Sequence, residues 1–225
     1  MPALTGERVI RLALDINVFI ADILSSEIGR RNTAASLLVE AVRTGVSPAG
    51  PVQLVASLAI IENYANVLSR RLGHDAEAAQ ERAWILQQHA REGPMPDHPY
   101  LSAGSGYIPF ETEEEWRRSI ANHLGRSEAD KLFHEIQDDR YVLETALVGR
   151  ADILATADVG GFASGPARRF QRNDLVLFPF ADRILVIAAP RFVTHWLWQG
   201  IVPDAKFVVN HPEDFVFASS ASERK

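Results

Sequence analysis

The spacing of apolar and polar positions changes several times along the chain, and each change marks an element. Val9-Ile10-Arg11-Leu12-Ala13-Leu14 is a short, nearly continuous apolar run, as expected of a strand covered on both faces. Asn32 or Thr33 then caps a helix whose Leu37, Leu38, Ala41 and Val42 share one face, with Gly45 as its stop. Ser47-Pro48-Ala49-Gly50-Pro51 is turn chemistry, and Val52 to Ala56 is a second strand. Ser57 caps a helix carrying Leu58, Ile61, Ala65, Leu68 and Leu72 at helical spacing before Gly73, and Ala76 to Glu92 forms a third, weaker amphipathic helix.

The pattern then loosens into a loop containing Gly93, Pro94, Pro96, Pro99, Gly104, Gly106 and Pro109. Thr112 and Glu115 have capping-box spacing for a helix ending near Gly125, and Ser127 opens a short helix bearing Leu132, Phe133 and Ile136. The segment of about 76–137 is therefore read as a mostly helical insertion. From Asp139 a strict period returns, with Val142, Leu143, Ala146 and Leu147 on one face and Gly149 as the stop. Asp152 to Thr156 and Ile184 to Ala188 complete the strands, and Pro190 sits where the first turn of a helix through Phe192, Val193, Trp196 and Leu197 would begin. Strands alternating with helices predict an α/β protein, a parallel sheet with helices on both faces in an α/β/α sandwich. One domain over residues 1–217 is expected, followed by a disordered tail at 218–225.

Composition narrows the chemistry. A chain of 225 residues with 47% hydrophobic content can bury a full core, and the absence of cysteine excludes disulfides, thiolate-held zinc, iron–sulfur clusters and cysteine nucleophiles. No apolar run approaches the roughly 18 residues of a membrane span. The start of the chain lacks the apolar centre of a signal peptide, so the expectation is a cytoplasmic protein with no membrane partner. A net charge of −6 argues against a general nucleic-acid coat. Local arginine pairs (Arg30-Arg31, Arg70-Arg71, Arg117-Arg118, and Arg168-Arg169 with Arg172) suit phosphate, although solvated helix ends and loops account for most such pairs.

Against that acidic background four carboxylates stand out. Asp15 and Asp158 fall close to the carboxyl ends of predicted strands, where open parallel sheets bind ligands. Glu62 lies near the start of its helix beside the expected buried face, and Asp139 extends the stripe of Val142 and Leu143. Carboxylates gathered within a few ångströms repel one another unless a cation neutralises them, and Mg2+ or Mn2+ takes such oxygen ligands. An open coordination shell on that ion would admit water and a phosphate oxygen, which makes phosphodiester hydrolysis the implied reaction. Asn17, Ser57 and Thr156 are placed to orient the acids or hold the ion's waters. Any one of the four acids alone has an ordinary explanation as a cap, turn or ion-pair residue. Their joint placement is what points to a metal. The histidines show no metal-ligand spacing.

Leu14-Asp15-Ile16-Asn17-Val18, Ser57 with Glu62, Asp139 ahead of Val142-Leu143 and Ala146, and Ala151 to Asp158 together resemble the PIN-domain family in order and spacing. The resemblance runs from about Val9 to Gly161 and resumes at Ile184 to Leu197. It implies a metal-dependent ribonuclease, commonly the toxin of a bacterial toxin–antitoxin pair, with an RNA substrate, a cognate antitoxin and a homodimer as expected partners. It also implies Asp15, Glu62, Asp139 and Asp158 as metal-binding catalytic carboxylates. This chain departs from the family pattern at Ile16, where a Thr or Ser hydroxyl is usual, and in its longer 76–137 segment. A PIN-like module without turnover, binding RNA or a protein, is the alternative. A phosphatase with an aspartyl nucleophile is disfavoured because Asn17 stands where its second Asp would be.

Overall fold

Strand β1 (Ile10–Leu14) passes directly into helix α1 (Ile16–Glu27), which turns at Gly29 into α2 (Ala34–Thr44). Thr33 caps α2 through the Ser36 amide, and Ser36 returns the bond to the Thr33 amide, so two otherwise orphan donors are satisfied reciprocally. Gly45 ends α2 at φ 73°, a left-handed conformation that glycine adopts without steric cost. Strands β2 (Val46–Ser47) and β3 (Gly50–Val55) form a hairpin, followed by α3 (Leu58–Arg71) and α4 (Ala76–Glu92). Helix α5 (Arg140–Val148) leads into β4 (Ile153–Ala155) and a 3-10 turn at Gly160–Phe162. Then come β5 (Arg168–Arg169), β6 (Leu175–Phe180), β7 (Arg183–Ala188) and α6 (Pro190–Trp198), the last with Pro190 in its first turn. The computed structural model describes residues 8–92, 121, 126–127, 140–162, 168–169, 175–180 and 183–203. Of the predicted insertion helices after Glu92 only Ala121, Arg126 and Ser127 fall among them, and the tail and Asp139 lie outside.

The seven strands order as β2-β3-β1-β4-β7-β6-β5. β3, β1, β4 and β7 run parallel, while β2, β6 and β5 pair antiparallel, so the sheet is mixed rather than wholly parallel as expected from the sequence. Side chains alternate across it with period two. Ile10, Leu12 and Leu14 of β1 join Val52, Leu54, Ile153, Val186 and Ala188 in a core covered by α1, α2, α3, α4 and α6. Ala13, Val55, Leu154, Val176, Phe178 and Ile187 face the other way, against Val142, Leu143, Ala146 and Leu147 of α5 and Phe162. Both faces are thus covered, giving an α/β/α arrangement. No helix among the described residues is long and apolar enough to cross a membrane.

The parallel register places the carboxyl ends of β1, β3 and β4 along one rim, marked by Asp15, Ser57 and Thr156. At the opposite rim Asp152 is already engaged, accepting the Arg11 amide at 2.9 Å and pairing with Arg8.

Candidate metal centre

Asp15 occupies the N-cap position of α1, yet its side chain makes no capping hydrogen bond to its own helix. The carboxylate is directed across to the end of β4. Its Oδ2 accepts from the Thr156 hydroxyl at 2.6 Å and from Asn17 Nδ2 at 2.6 Å. The Thr156 oxygen in turn accepts from Asn17 Nδ2 at 3.1 Å and from the Asp158 amide at 3.0 Å. Asn17 Oδ1 accepts the Ala157 amide at 3.0 Å, so both ends of the Asn17 amide are specified and its orientation is fixed. Asp15, Asn17 and Thr156 thus form a closed triangle pinned to the turn that carries Asp158. The strands beneath hold the same junction, with the Asp15 amide donating to the Ala155 carbonyl at 3.0 Å and the Thr156 amide to the Ala188 carbonyl at 3.1 Å.

Asp15 is 6% exposed, and burial pushes its carboxyl above the ordinary carboxylate range. The Thr156 hydroxyl and the backbone amides of Asn17 and Ile16 oppose that rise, whereas the negative charge of Asp158 adds to it. Asp158 itself is exposed, with Oδ1 accepting from the Gly161 amide at 3.1 Å. Two carboxylates of like sign, one buried and rigidly held, the other exposed and mounted on an adjoining turn, leave the buried one short of compensating charge. Both side-chain donors fall on Asp15 Oδ2, and the backbone amides of Ile16 and Asn17 also act on the carboxylate. Carboxylate and hydroxyl oxygens are the donor type that hard divalent ions take.

The remaining expected residues separate. Ser57 is fully buried and caps α3, accepting the Ile60 amide at 3.2 Å, and its hydroxyl lies 2.6 Å from Thr145 Oγ1 on α5. Its place in the structure is a join between helices. Glu62 is exposed, contrary to the expectation that it borders a buried face. The buried side of α3 is Ile60, Ile61, Tyr64 and Leu68, a stripe centred between the two edges that the sequence suggested, and the next position after Ile61 rotates outward by about 100°. Among the described residues no hydrogen bond ties Glu62 to Asp15, and no three His, Asp or Glu side chains come together as a metal cage. Asp139, the expected fourth acid, lies outside the described residues.

Thr145 went unnoticed in the sequence because it sits between Leu143 and Ala146 in an otherwise apolar stripe. Glu144 beside it is also buried, a placement that periodicity alone did not suggest. Comparison with family models, with curated proteins and with solved structures gave no match to this chain.

Proposed function

We propose that this chain is a PIN-like, Mg2+- or Mn2+-dependent endoribonuclease, with Asp15, Glu62, Asp139 and Asp158 as its metal-binding carboxylates. The observation that carries the reading is the buried Asp15 carboxylate, held by Asn17 and Thr156 beside Asp158 at the carboxyl rim of a sheet whose central strands run parallel. Burying a carboxylate this far costs free energy unless a positive charge offsets it, and hydrogen bonds alone offset only part. A bound divalent ion would supply a water of lowered pKa and stabilise charge on the phosphate. Asn17 and Thr156 orient Asp15, and Ser57 holds the helix that bears Glu62 in place. A cognate antitoxin and a homodimer belong to the same proposal, resting on the motif resemblance.

The test is hydrolysis of RNA by purified protein with Mg2+ or Mn2+. Asp15→Asn is expected to keep the fold and to lower cleavage by at least about 100-fold, more than is usual for loss of a group that only supports a metal ligand. Unchanged cleavage by that variant would refute the assignment. One observation favours a second reading, a PIN-like module that binds RNA or protein without turnover: among the described residues the acids do not close into a cage, and Glu62 faces solvent. Titration with Mn2+ separates the two, since an enzyme of this kind binds the ion and the inert module does not at millimolar concentration.

A further inference from the structure

On α1, Phe19, Asp22 and Ile23 stand three and four residues apart and share one face, which puts a carboxylate into an otherwise apolar stripe. Val39 of α2, Tyr64 of α3 and Leu86 of α4 help to wall the same cleft, whose volume is about 630 Å³. That is the size of a pocket for a small organic molecule, and none of its lining residues belongs to the Asp15 site. The rings of Phe19 and Tyr64 meet in it at 5.7 Å and an angle of 54°, so part of the wall is aromatic.

The charges of this cleft are unevenly matched. Arg43 gives Nε and Nη2 to Glu40 at 2.9 and 2.6 Å. Arg82 lies beside the Tyr64 hydroxyl, where its charge opposes the rise that burial gives that phenol. His89 turns Nε2 to the Val42 carbonyl, which can only accept, so that donor is spent on α2. Asp22 has no such engagement: among the described residues no hydrogen bond or ion pair reaches its half-buried carboxylate. Burial raises its carboxyl, and Glu40 raises it further. With Glu40 nearby and Glu81 in the wall, three carboxylates stand against two guanidinium groups.

We infer that this cleft binds a small organic amine, with its ammonium group on Asp22 and its hydrocarbon body against Phe19, Ile23 and Leu86. The ammonium supplies both the charge and the N–H donors that Asp22 lacks. Tyr64, whose hydroxyl feels the Asp22 charge, brings an aromatic ring to the same part of the cleft, a surface that attracts a cation. A bare metal ion is the poorer guest, because no three acidic or histidine side chains converge there among the described residues and the apolar walls offer it nothing.

The experiment is titration of the full chain with phenethylamine and with its neutral counterpart phenethyl alcohol, read by calorimetry and by amide chemical shifts. No divalent metal is added, so the outcome is independent of the nuclease reading. The amine is expected to bind with a Kd of about 1 mM or below, with shifts on α1 and α4. It should bind about tenfold or more tightly than the alcohol, the effect of a hydrogen bond between charged groups in a partly buried setting. Asp22→Asn keeps the shape of the side chain and is expected to bring the amine down to the affinity of the alcohol. Leu86→Ala should weaken amine and alcohol alike, and the preference for the amine should persist in Asp15→Asn. Failure of the amine to saturate at about 10 mM, equal affinity for amine and alcohol, or an amine preference that survives Asp22→Asn would overturn the inference. So would loss of that preference in Asp15→Asn, which would put the amine at the other acid.

Discussion

Two helices leave the same rim of the sheet, and they begin in opposite ways. α3 starts at Ser57, whose hydroxyl accepts an amide of its own first turn. α1 starts at Asp15, a better charge complement for a helix N-terminus, and that carboxylate bonds to Thr156, just past β4, and to the Asn17 side chain. The first residue serves its own helix and the second serves a location. Asp15 is thus buried and tied both to the end of β4 and to the first residues of its own helix. Asp152, at the other rim, shows the contrast again, since an arginine and a backbone amide already engage it.

The comparison can be broken most forcefully at the helix start that acts structurally. Ser57→Ala leaves the Ile60 amide without its cap and the Thr145 hydroxyl without its Ser57 acceptor, both in a dry interior. The expected cost is about 2–3 kcal/mol. Thermal melting should show that as a fall of roughly 5–10 °C for a domain of this size. A loss below about 0.5 kcal/mol would mean that the Ser57 hydroxyl contributes little. At the other start, Thr156→Val removes the hydroxyl that donates to Asp15 and accepts the Asp158 amide while keeping shape. Here the expected result is a fall in metal-dependent RNA cleavage of about 10- to 100-fold, beyond what any loss of stability measured by melting accounts for. If stability fell as it does for Ser57→Ala and cleavage did not, the two starts would be alike after all.

The smallest effect concerns Asp22, further along α1, a half-buried acid in a cleft of about 630 Å³ between α1, α2, α3 and α4. Burial raises its carboxyl above the usual value and Glu40 adds to the rise, while Arg43, which opposes it, is itself bonded to Glu40. A raised folded value means that the proton favours the fold: that contribution is complete below the unfolded carboxylate range and is lost as pH climbs through the folded value. Asp22→Asn should therefore melt slightly higher than the wild type at neutral pH, by a few tenths of a kcal/mol or about 1 °C given its exposure. The gain should vanish near pH 3; a gain that persists there would assign it to something other than charge.

Much of this architecture was legible because period and cap agreed. Thr33, Gly45, Ser57 and Pro190 all stand where the sequence put them, and α4 has the expected bounds. α1 was hidden for the same reason that Asp15 is interesting: the strand runs into the helix through apolar Ile16 and Val18, and the residue at the junction does not cap. β6 was missed because Pro179 argues against an interior strand. Among the described residues β5 pairs with Val176 and Leu177. At the site, strand ends predicted Asp15, Asn17, Thr156 and Asp158 as neighbours. Glu62 was misplaced by a shift of one helical position, and Thr145 left no trace because a threonine in an apolar stripe is indistinguishable from packing until its partner across the interface is seen.

The junction that carries Thr156 is completed by residues that follow it in the chain. β4 is three residues long, and its far side, together with the Thr156 amide, is completed by β7, after which Thr194 of α6 bonds to the Ala34 carbonyl of α2. A nascent chain halted before Arg183 would carry Asp15 without the strand that steadies its partner. The geometry around Asp15 therefore depends on contacts that close only when β7 joins the sheet.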